Sequence, residues 1–365
     1  MLKIGIVGLP NVGKSTLFNA LTKMSVPAEN YPFCTIDPSV GVVGVPDLRL
    51  QKMADISNSK KIIPAAIEFV DIAGLVKGAA EGQGLGNQFL THIRETDAIL
   101  EVVRFFDDPD VLHVEGTVEP YKDIEVINLE LVLDDSEQVK KRRGTIAGDL
   151  KAGKKEALAE DAVLIKLEQG FAAGKLALHS GISSDERARI KHLNLLTMKP
   201  ILYALNRKSG GHNLDEINDG RAERAYELIK SLGASYVYVD AATERELNDV
   251  ADDDRAGLRQ EFGIREDGLS NLIRGAYATL ELISFFTTGE DETRAWTVPD
   301  ESAAPVAGAA IHTDFLDKFI RAEVVSYDDL VTAGGWSQAR EKAKLRTEGK
   351  EYIVKDGDVI VFLHG

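Results

Sequence analysis

The residues best suited to do chemistry lie in the segment Gly8-Leu-Pro-Asn-Val-Gly-Lys-Ser-Thr16. Its glycines allow the backbone to turn tightly, so that successive N–H groups can face a phosphate. In this pattern Lys14 reaches the β- and γ-phosphates, and the Ser15 hydroxyl ligates Mg²⁺. Residues 2–8 are typical of a buried strand, and residues 16–23 of a helix whose N-terminus faces the phosphates. The sequence therefore predicts a nucleoside triphosphate site, whose expected phosphate-binding residues are Asn11, Val12, Gly13, Lys14, Ser15 and Thr16.

Two further elements of such a site follow at suitable distances. An apolar run ends in Asp71-Ile-Ala-Gly74, which places a carboxylate in the outer coordination shell of Mg²⁺ and a glycine N–H beside the γ-phosphate. Lys14 and Gly74 are therefore candidate catalytic residues. Residues 75–86 contain many glycines, as expected of a switch segment that the γ-phosphate orders. Thr35, between the first helix and the next strand, is the expected ligand of Mg²⁺ and the γ-phosphate.

Two positions differ from the usual GTPase pattern. Where Ras-type enzymes carry a Gln that orients water, this chain has Leu75, so intrinsic hydrolysis should be slow or use another group. The base-reading strand ends in Asn206-Arg-Lys-Ser209 instead of Asn-Lys-x-Asp, and serine cannot accept both guanine donors as a carboxylate does. Strong guanine selectivity is therefore not expected. We expect Asn206 to contact the purine, and the backbone around Leu205 and Arg207 to read the adenine 6-amino group.

The chain closely resembles the YchF/Obg-like ATPase family, a branch of the translation-factor GTPases that favours ATP over GTP. The resemblance covers essentially all of the chain. It rests on residues 5–19, 33–36, 68–78, 84–90, 93–96, 294–296, 311–315 and 352–358. Members of that family usually carry Asn-x-x-Glu where this chain ends its motif with Ser209.

The order of apolar strands and helices along the chain predicts an α/β fold with a doubly wound sheet of the P-loop, GTPase-like type. Short apolar strands alternate with helices over residues 1–128 and 199–282, which we assign to the nucleotide-binding domain. Residues 129–198 lack proline and repeat apolar positions among charged ones, as in an inserted antiparallel helical arm of coiled-coil type. Residues 283–365 read as short strands, with a hairpin expected at 355–358. The resemblance implies that this part is a β-grasp (TGS) domain.

Composition limits the cellular setting. The 365 residues suffice for two or three domains, and 44% hydrophobic with 28% charged residues is typical of soluble globular proteins. The single cysteine, Cys34, excludes an internal disulfide framework and fits a reducing compartment. The apolar residues at the start of the sequence run directly into the glycine-rich loop, so we do not interpret them as a signal peptide. No apolar run reaches the length of a membrane span. We expect a cytoplasmic protein without a membrane partner.

The charge pattern bears on macromolecular partners. A formal net charge of −16 argues against general nucleic-acid binding, and DNA is not an expected partner. Residues 134–191 nevertheless carry 12 Lys and Arg against 10 Asp and Glu. Basic clusters at 140–143, 151–155 and 340–346 are either solvated helix faces or contacts for rRNA. With the family resemblance, they indicate the ribosome, and its large subunit in particular, as a partner.

Two classes of function fit these features. The first is a slow Mg²⁺-dependent nucleoside triphosphatase that converts ATP to ADP and phosphate, with GTP as a second substrate, and acts as a ribosome-associated regulatory switch. The second is a binding module that holds ATP with negligible turnover. A metabolic kinase is disfavoured because no phosphate-acceptor constellation is present. His113 could position the attacking water, since imidazole accepts a proton near neutral pH; a structural role is its alternative.

Overall fold

The computed structural model describes residues 1–27, 31, 37–72, 87–111, 116–250, 254, 257–258 and 267–365. Within these residues, one six-stranded sheet carries the glycine-rich loop. Its strands, in order across the sheet, are β2 (Val40–Gly44), β4 (Ala66–Asp71), β1 (Lys3–Val7), β5 (Ala98–Arg104), β7 (Ile201–Asn206) and β9 (Ser235–Val239). All neighbours run parallel except β2, which is antiparallel to β4. Parallel strands end at the same edge, so the loops after β1, β4 and β7 meet there.

Helices cover both faces of this sheet, as the doubly wound prediction requires. The sequence of β5 is mostly apolar because both faces of this strand are buried: Ile99 and Val103 pack on one face, and Leu100 and Val102 on the other. One face is covered by α1 (Lys14–Lys23), α9 (Ala241–Leu247) and α10 (Gly268–Thr279). The opposite face is covered by α3 (Asn87–Arg94), α8 (Arg221–Ser231) and the first part of α4 (Pro120–Lys151). The short strands β6 (Phe106–Asp107) and β8 (His212–Asn213) pair with each other in a separate antiparallel ladder. The short helix α7 (Leu214–Ile217) precedes α8.

The predicted helical arm is confirmed as an antiparallel pair of α4 and α5 (Lys155–Ala172). Helix α4 begins at Pro120, earlier than the arm boundary drawn from the sequence, because proline is well accommodated in the first turn. Arg142 binds Glu160 through two hydrogen bonds of 2.7 and 2.9 Å. Arg143 donates to carboxylates of α5 at 2.8 and 2.6 Å. These two arginines therefore stabilise the helix pair.

A buried carboxylate anchors the arm to the sheet. Asp135 of α4 is fully buried and accepts hydrogen bonds from the N–H groups of Leu196 and Thr197, at 2.9 and 2.8 Å, and from the Thr197 hydroxyl at 2.7 Å. These donors lie just before β7, where the chain returns to the sheet through α6 (Ser184–Ile190) and 3₁₀ turns at Ala177–His179, Lys191–Leu193 and Leu196–Met198. Burial raises the pKa of Asp135, and its hydrogen bonds oppose that effect.

A second six-stranded sheet contains the carboxyl-terminal residues, in agreement with the predicted β-grasp domain. Its order is β13 (Arg346–Glu348), β12 (Phe319–Ser326), β14 (Asp358–His364), β10 (Leu282–Thr288), β11 (Thr293–Pro299) and β3 (Ile62–Ile63). Among the described residues, five helices pack around it: α2 (Arg49–Ser57), α11 (Ala304–Ile311), α12 (Asp314–Lys318), α13 (Tyr327–Ala333) and α14 (Trp336–Glu341). β3 extends this sheet from the amino-terminal part of the chain. The domain boundaries stay predictions.

One local prediction in this part is wrong. The expected hairpin of 352–354 with 359–363 does not form, because β14 pairs with β12 and β10 instead. Residues 352–354 form no strand. They are connected to the start of β14 by Asp358, which accepts from the Tyr352 hydroxyl at 2.7 Å and from the Lys355 N–H at 2.9 Å.

None of the described helices combines the length and the apolar character required to span a bilayer.

Candidate nucleotide-binding site

The loop of residues 8–13 joins β1 to α1 and has the shape of a phosphate cradle. Gly8 and Gly13 have φ angles of +148° and +101°, a region that side chains disfavour. A Cβ on Gly8 would lie 2.4 Å from the Val102 carbonyl oxygen, and one on Gly13 would lie 2.3 Å from Nδ2 of Asn206. Asn11 also has a positive φ, of 62°. The glycines are therefore required for both the turn and the close approach of neighbouring groups.

The first turn of α1 presents its backbone N–H groups at this loop. Gly13 precedes the helix, and no side chain caps that turn with a hydrogen bond. It contains Lys14, Ser15 and Thr16 and has no acidic residue. An uncapped helix N-terminus carries partial positive charge and can donate hydrogen bonds to an anion. The predicted phosphate-binding residues 11–16 are thus brought together at one helix end.

Lys14 is the charged group of this cradle. The residue is 7% exposed, and its ammonium donates to the Leu9 carbonyl oxygen at 2.6 Å. Burial lowers the pKa of Lys14 to about 8, and the carboxylate of Asp71 partly opposes that shift. Asp71 ends β4 and is in register with Ile6 of β1, next to the loop. Lys14 and Asp71 therefore face the same edge of the sheet.

The residues around the loop fit a Mg²⁺ ion. Mg²⁺ prefers hard oxygen ligands and commonly takes one or two protein groups together with substrate phosphates. The exposed Ser15 hydroxyl in the first turn of α1 and the Asp71 carboxylate at the end of β4 supply such oxygens at this edge. Thr35, the third predicted metal residue, lies outside the described residues, as do Gly74, Leu75 and His113. Their roles stay predictions.

Asn206 links the phosphate loop to the base-reading end of the site. Its side chain is 5% exposed; Nδ2 donates to the Val12 carbonyl oxygen at 2.8 Å, and Oδ1 accepts from the Ala241 N–H at 3.1 Å. Both ends of the amide thus hold backbone groups in place. Val12 itself is 1% exposed and packs in the core below the loop. The contact of Asn206 with the purine stays a prediction.

Arg207, directly after β7, pairs with acidic residues. Its N–H donates to the Val239 carbonyl oxygen at 2.8 Å, so this backbone donor is already engaged. Its guanidinium forms ion pairs with Asp215 and Glu216 and lies 5.4 Å from the ring centre of Tyr238. The contact of its backbone with the base stays a prediction.

Asp240 is a residue of this site that the sequence analysis missed. It follows β9 and caps α9, accepting from the Thr243 N–H at 3.0 Å and the Thr243 hydroxyl at 2.8 Å. It also accepts from the Ser209 N–H at 2.6 Å. Ser209 and Asp240 line an open cleft of about 940 Å³. The available signal was the Asp-x-x-Thr capping pattern at the end of the late strand.

Two family models match the chain. Residues 3–140 match MMR_HSR1, described as a 50S ribosome-binding GTPase, and residues 282–364 match YchF-GTPase_C, described as a protein of unknown function (DUF933).

Full-length relatives agree with these matches. The chain is 47% identical to the ribosome-binding ATPase YchF of Bacillus subtilis (strain 168) over 361 residues, covering 99% of this chain and 98% of the relative. It is 48% identical over 362 residues to the ribosome-binding ATPase YchF of Escherichia coli O157:H7, with the same coverage. The solved structure of the Schizosaccharomyces pombe YchF GTPase superimposes with a TM-score of 0.86 at 36% identity, covering 99% of this chain and 97% of that one. The chain belongs to the YchF family.

Proposed function

We propose that this protein is a Mg²⁺-dependent nucleoside triphosphatase that hydrolyses ATP, with GTP as a second substrate, and associates with the ribosome as a regulatory switch in the cytoplasm. The observation that carries the proposal is that the buried residue Lys14 lies in the uncapped first turn of α1. Relatives from B. subtilis and E. coli that are 47% and 48% identical are named ribosome-binding ATPases, which supports both the substrate and the partner.

The triphosphate would be held by groups with distinct tasks. The first-turn N–H groups of α1 donate to the phosphate oxygens, and the ammonium of Lys14 moves from the Leu9 carbonyl oxygen to the β/γ-phosphates. Phosphate charge stabilises protonated Lys14, so binding raises its pKa again. Mg²⁺ held by Ser15, with Asp71 in its outer shell, would neutralise charge on the phosphates. Asn206 fixes the loop against β7 and α9.

Hydrolysis would be slow without a partner. Leu75 replaces the water-orienting Gln of Ras-type enzymes and cannot hydrogen-bond to the attacking water. We assign water positioning to His113 and recognition of the γ-phosphate to Gly74, with Thr35 on the metal. Each of these roles is a proposal from the sequence pattern.

The ribosome contact is assigned to lysines of the arm. Arg142 and Arg143 form ion pairs with α5 and stabilise the arm, so they are poor candidates for rRNA binding. Lys140 and Lys141 are exposed on α4 and form no ion pair within the part of the chain that is described. Exposed lysines without ion pairs can neutralise rRNA phosphates and release counterions. We therefore place the contact with the large subunit at these lysines, on the arm of residues 129–198.

The first test is equilibrium binding of non-hydrolysable ATP and GTP analogues in the presence of Mg²⁺. Lys14→Ala should lose at least about 100-fold in affinity, because a charged hydrogen-bond partner of two phosphates is removed. Lys23→Ala, at the exposed opposite end of α1, is the matched control and should bind like the parent. Parent-like affinity in the Lys14 variant would refute the assigned site.

The second test is co-sedimentation with ribosomes. Lys140→Glu combined with Lys141→Glu should reduce pelleting, and the effect should be largest at low salt. Exposed Lys230 on α8 serves as the charge-reversal control. Equal pelleting of all three proteins at low salt would show that the arm lysines are not the contact.

A further inference from the structure

Ser209 and Asp240 lie next to each other at the base-reading end of the nucleotide site. A GTPase carries a carboxylate at the position of Ser209, and that carboxylate accepts from the guanine base. Here the Ser209 N–H donates to Oδ2 of Asp240 at 2.6 Å. A carboxylate is therefore hydrogen-bonded to the residue at the usual position. It comes from the residue that follows β9 instead of from the segment that follows β7.

The position of Asp240 is fixed from three sides. The next residue, Ala241, donates its N–H to the Asn206 side chain, and Asn206 in turn binds the phosphate loop at Val12. Its own oxygens accept from Thr243 twice and from Ser209 once. The carboxylate is thus held rigidly relative to the site where the phosphates bind, as a residue that reads a base must be.

The hydrogen-bonding capacity of Asp240 is not exhausted. An ionised carboxylate has about four acceptor positions. Thr243 and Ser209 occupy three of them. One acceptor position remains, and Asp240 lines the open cleft that continues from the base-reading loop. It can therefore take one further N–H donor.

Guanine and adenine differ in the donors that they place at positions 1 and 2 of the ring. Guanine offers the N1–H and the 2-amino group there, whereas adenine has an N1 lone pair, which a carboxylate repels, and a C2–H; the adenine donor is the 6-amino group, at the other end of that edge. A site with a fixed acceptor discriminates strongly against a ligand that lacks the matching donor. One remaining acceptor position gives weaker discrimination than the two-point contact of a GTPase.

We infer that Asp240 is a specificity-determining residue that accepts a hydrogen bond from the guanine edge, so that the chain binds GTP alongside ATP despite Ser209. This inference rests on the proposed function, because it concerns the base of the same nucleotide. Where a GTPase has its carboxylate at the position of Ser209, this chain would use Asp240, directly after the neighbouring strand β9.

The test compares affinities for ATP, GTP and xanthosine triphosphate. Asp240→Asn keeps the cap of α9, since Asn is as good an N-cap as Asp, so the fold should be retained. GTP affinity should fall about tenfold or more, the usual effect of losing a hydrogen bond to a charged group, while ATP affinity stays within about threefold. Xanthosine triphosphate should gain affinity, because its 2-carbonyl accepts from the new amide.

A double variant tests the assignment independently of capping. Ser209→Asp with Asp240→Ser returns the carboxylate to the usual strand and should restore the ratio of GTP to ATP affinity. Asp219→Asn, a carboxylate that binds Arg221 beside α8, is the matched control and should leave all three affinities unchanged.

The outcomes separate the two proposals. If the parent binds triphosphate and Asp240→Asn leaves the GTP to ATP ratio unchanged, or weakens both nucleotides equally, Asp240 only tethers the loop and the inference is overturned. If the parent binds no triphosphate, the proposed function fails together with it.

Discussion

Replacing Lys14 by methionine should stabilise the nucleotide-free protein while abolishing its ability to bind triphosphate. The reason is that burial lowers the pKa of Lys14 from 10.5 to about 8, so the folded state disfavours the charged ammonium at neutral pH. A shift of about 2.5 units corresponds to about 3 kcal/mol. Methionine has a similar length and no charge. Loss of the hydrogen bond to the Leu9 carbonyl oxygen offsets about 1 kcal/mol, which leaves a net gain of about 2 kcal/mol at pH 7.

The pH dependence of this gain has a definite sign. The folded-state pKa of Lys14 lies below the unfolded one, so between about pH 8 and 10.5 the unfolded chain holds more protons. The free energy of unfolding of the parent therefore rises with pH across this window. The advantage of Lys14→Met should be largest below about pH 8 and should shrink towards pH 10.5.

The assay is urea unfolding of nucleotide-free parent and variant at pH 7 and pH 10, followed by circular dichroism. Tryptophan fluorescence would not suit, because both tryptophans, Trp296 and Trp336, lie in the carboxyl-terminal part. Lys23→Met at the exposed end of α1 controls for the substitution itself. Equal or lower stability of Lys14→Met at pH 7, or a difference that grows with pH, would refute the reasoning.

Three further substitutions test the structure around the site. Gly8→Ala should destabilise the protein by at least about 2 kcal/mol and abolish triphosphate binding, because its φ is +148° and a Cβ would lie 2.4 Å from the Val102 carbonyl oxygen; calorimetry and nucleotide titration would measure both effects. Asn206→Ala should weaken ATP and GTP by a similar factor of about 10 to 100 in equilibrium binding, since two buried backbone groups lose their partner; an effect on one nucleotide alone would contradict the clamp role. Asp135→Ala should lower the free energy of unfolding by about 3–5 kcal/mol in urea titration, whereas the partly exposed Asp134→Ala should lose under about 1 kcal/mol.

The sequence predicted those parts of the fold that local chemistry determines. The glycine pattern of residues 8–16 requires a tight loop between a strand and a helix, and that geometry is found. The parallel sheet followed from short, mostly apolar runs such as residues 99–103. The arm followed from its helical periodicity, although its first helix begins at Pro120 because the same helix first packs on the sheet.

Features that depend on distant residues could not be predicted in the same way. Nothing local to Ile62–Ile63 indicates pairing with β11, more than 200 residues later. The basic cluster at 140–143 appeared uniform, but Arg142 and Arg143 find carboxylates on α5 and only the lysines stay exposed. The pairing of Ser209 with Asp240 likewise depends on two strand ends meeting.

Single-turnover release of phosphate from ATP, measured with Mg²⁺ in the presence and absence of ribosomes, tests the proposed triphosphatase most directly. Slow release by the protein alone, acceleration by ribosomes and no release by Lys14→Ala are the expected results. Tight binding of ATP with no release under either condition would contradict a triphosphatase and would identify a binding module that uses ATP as a structural ligand.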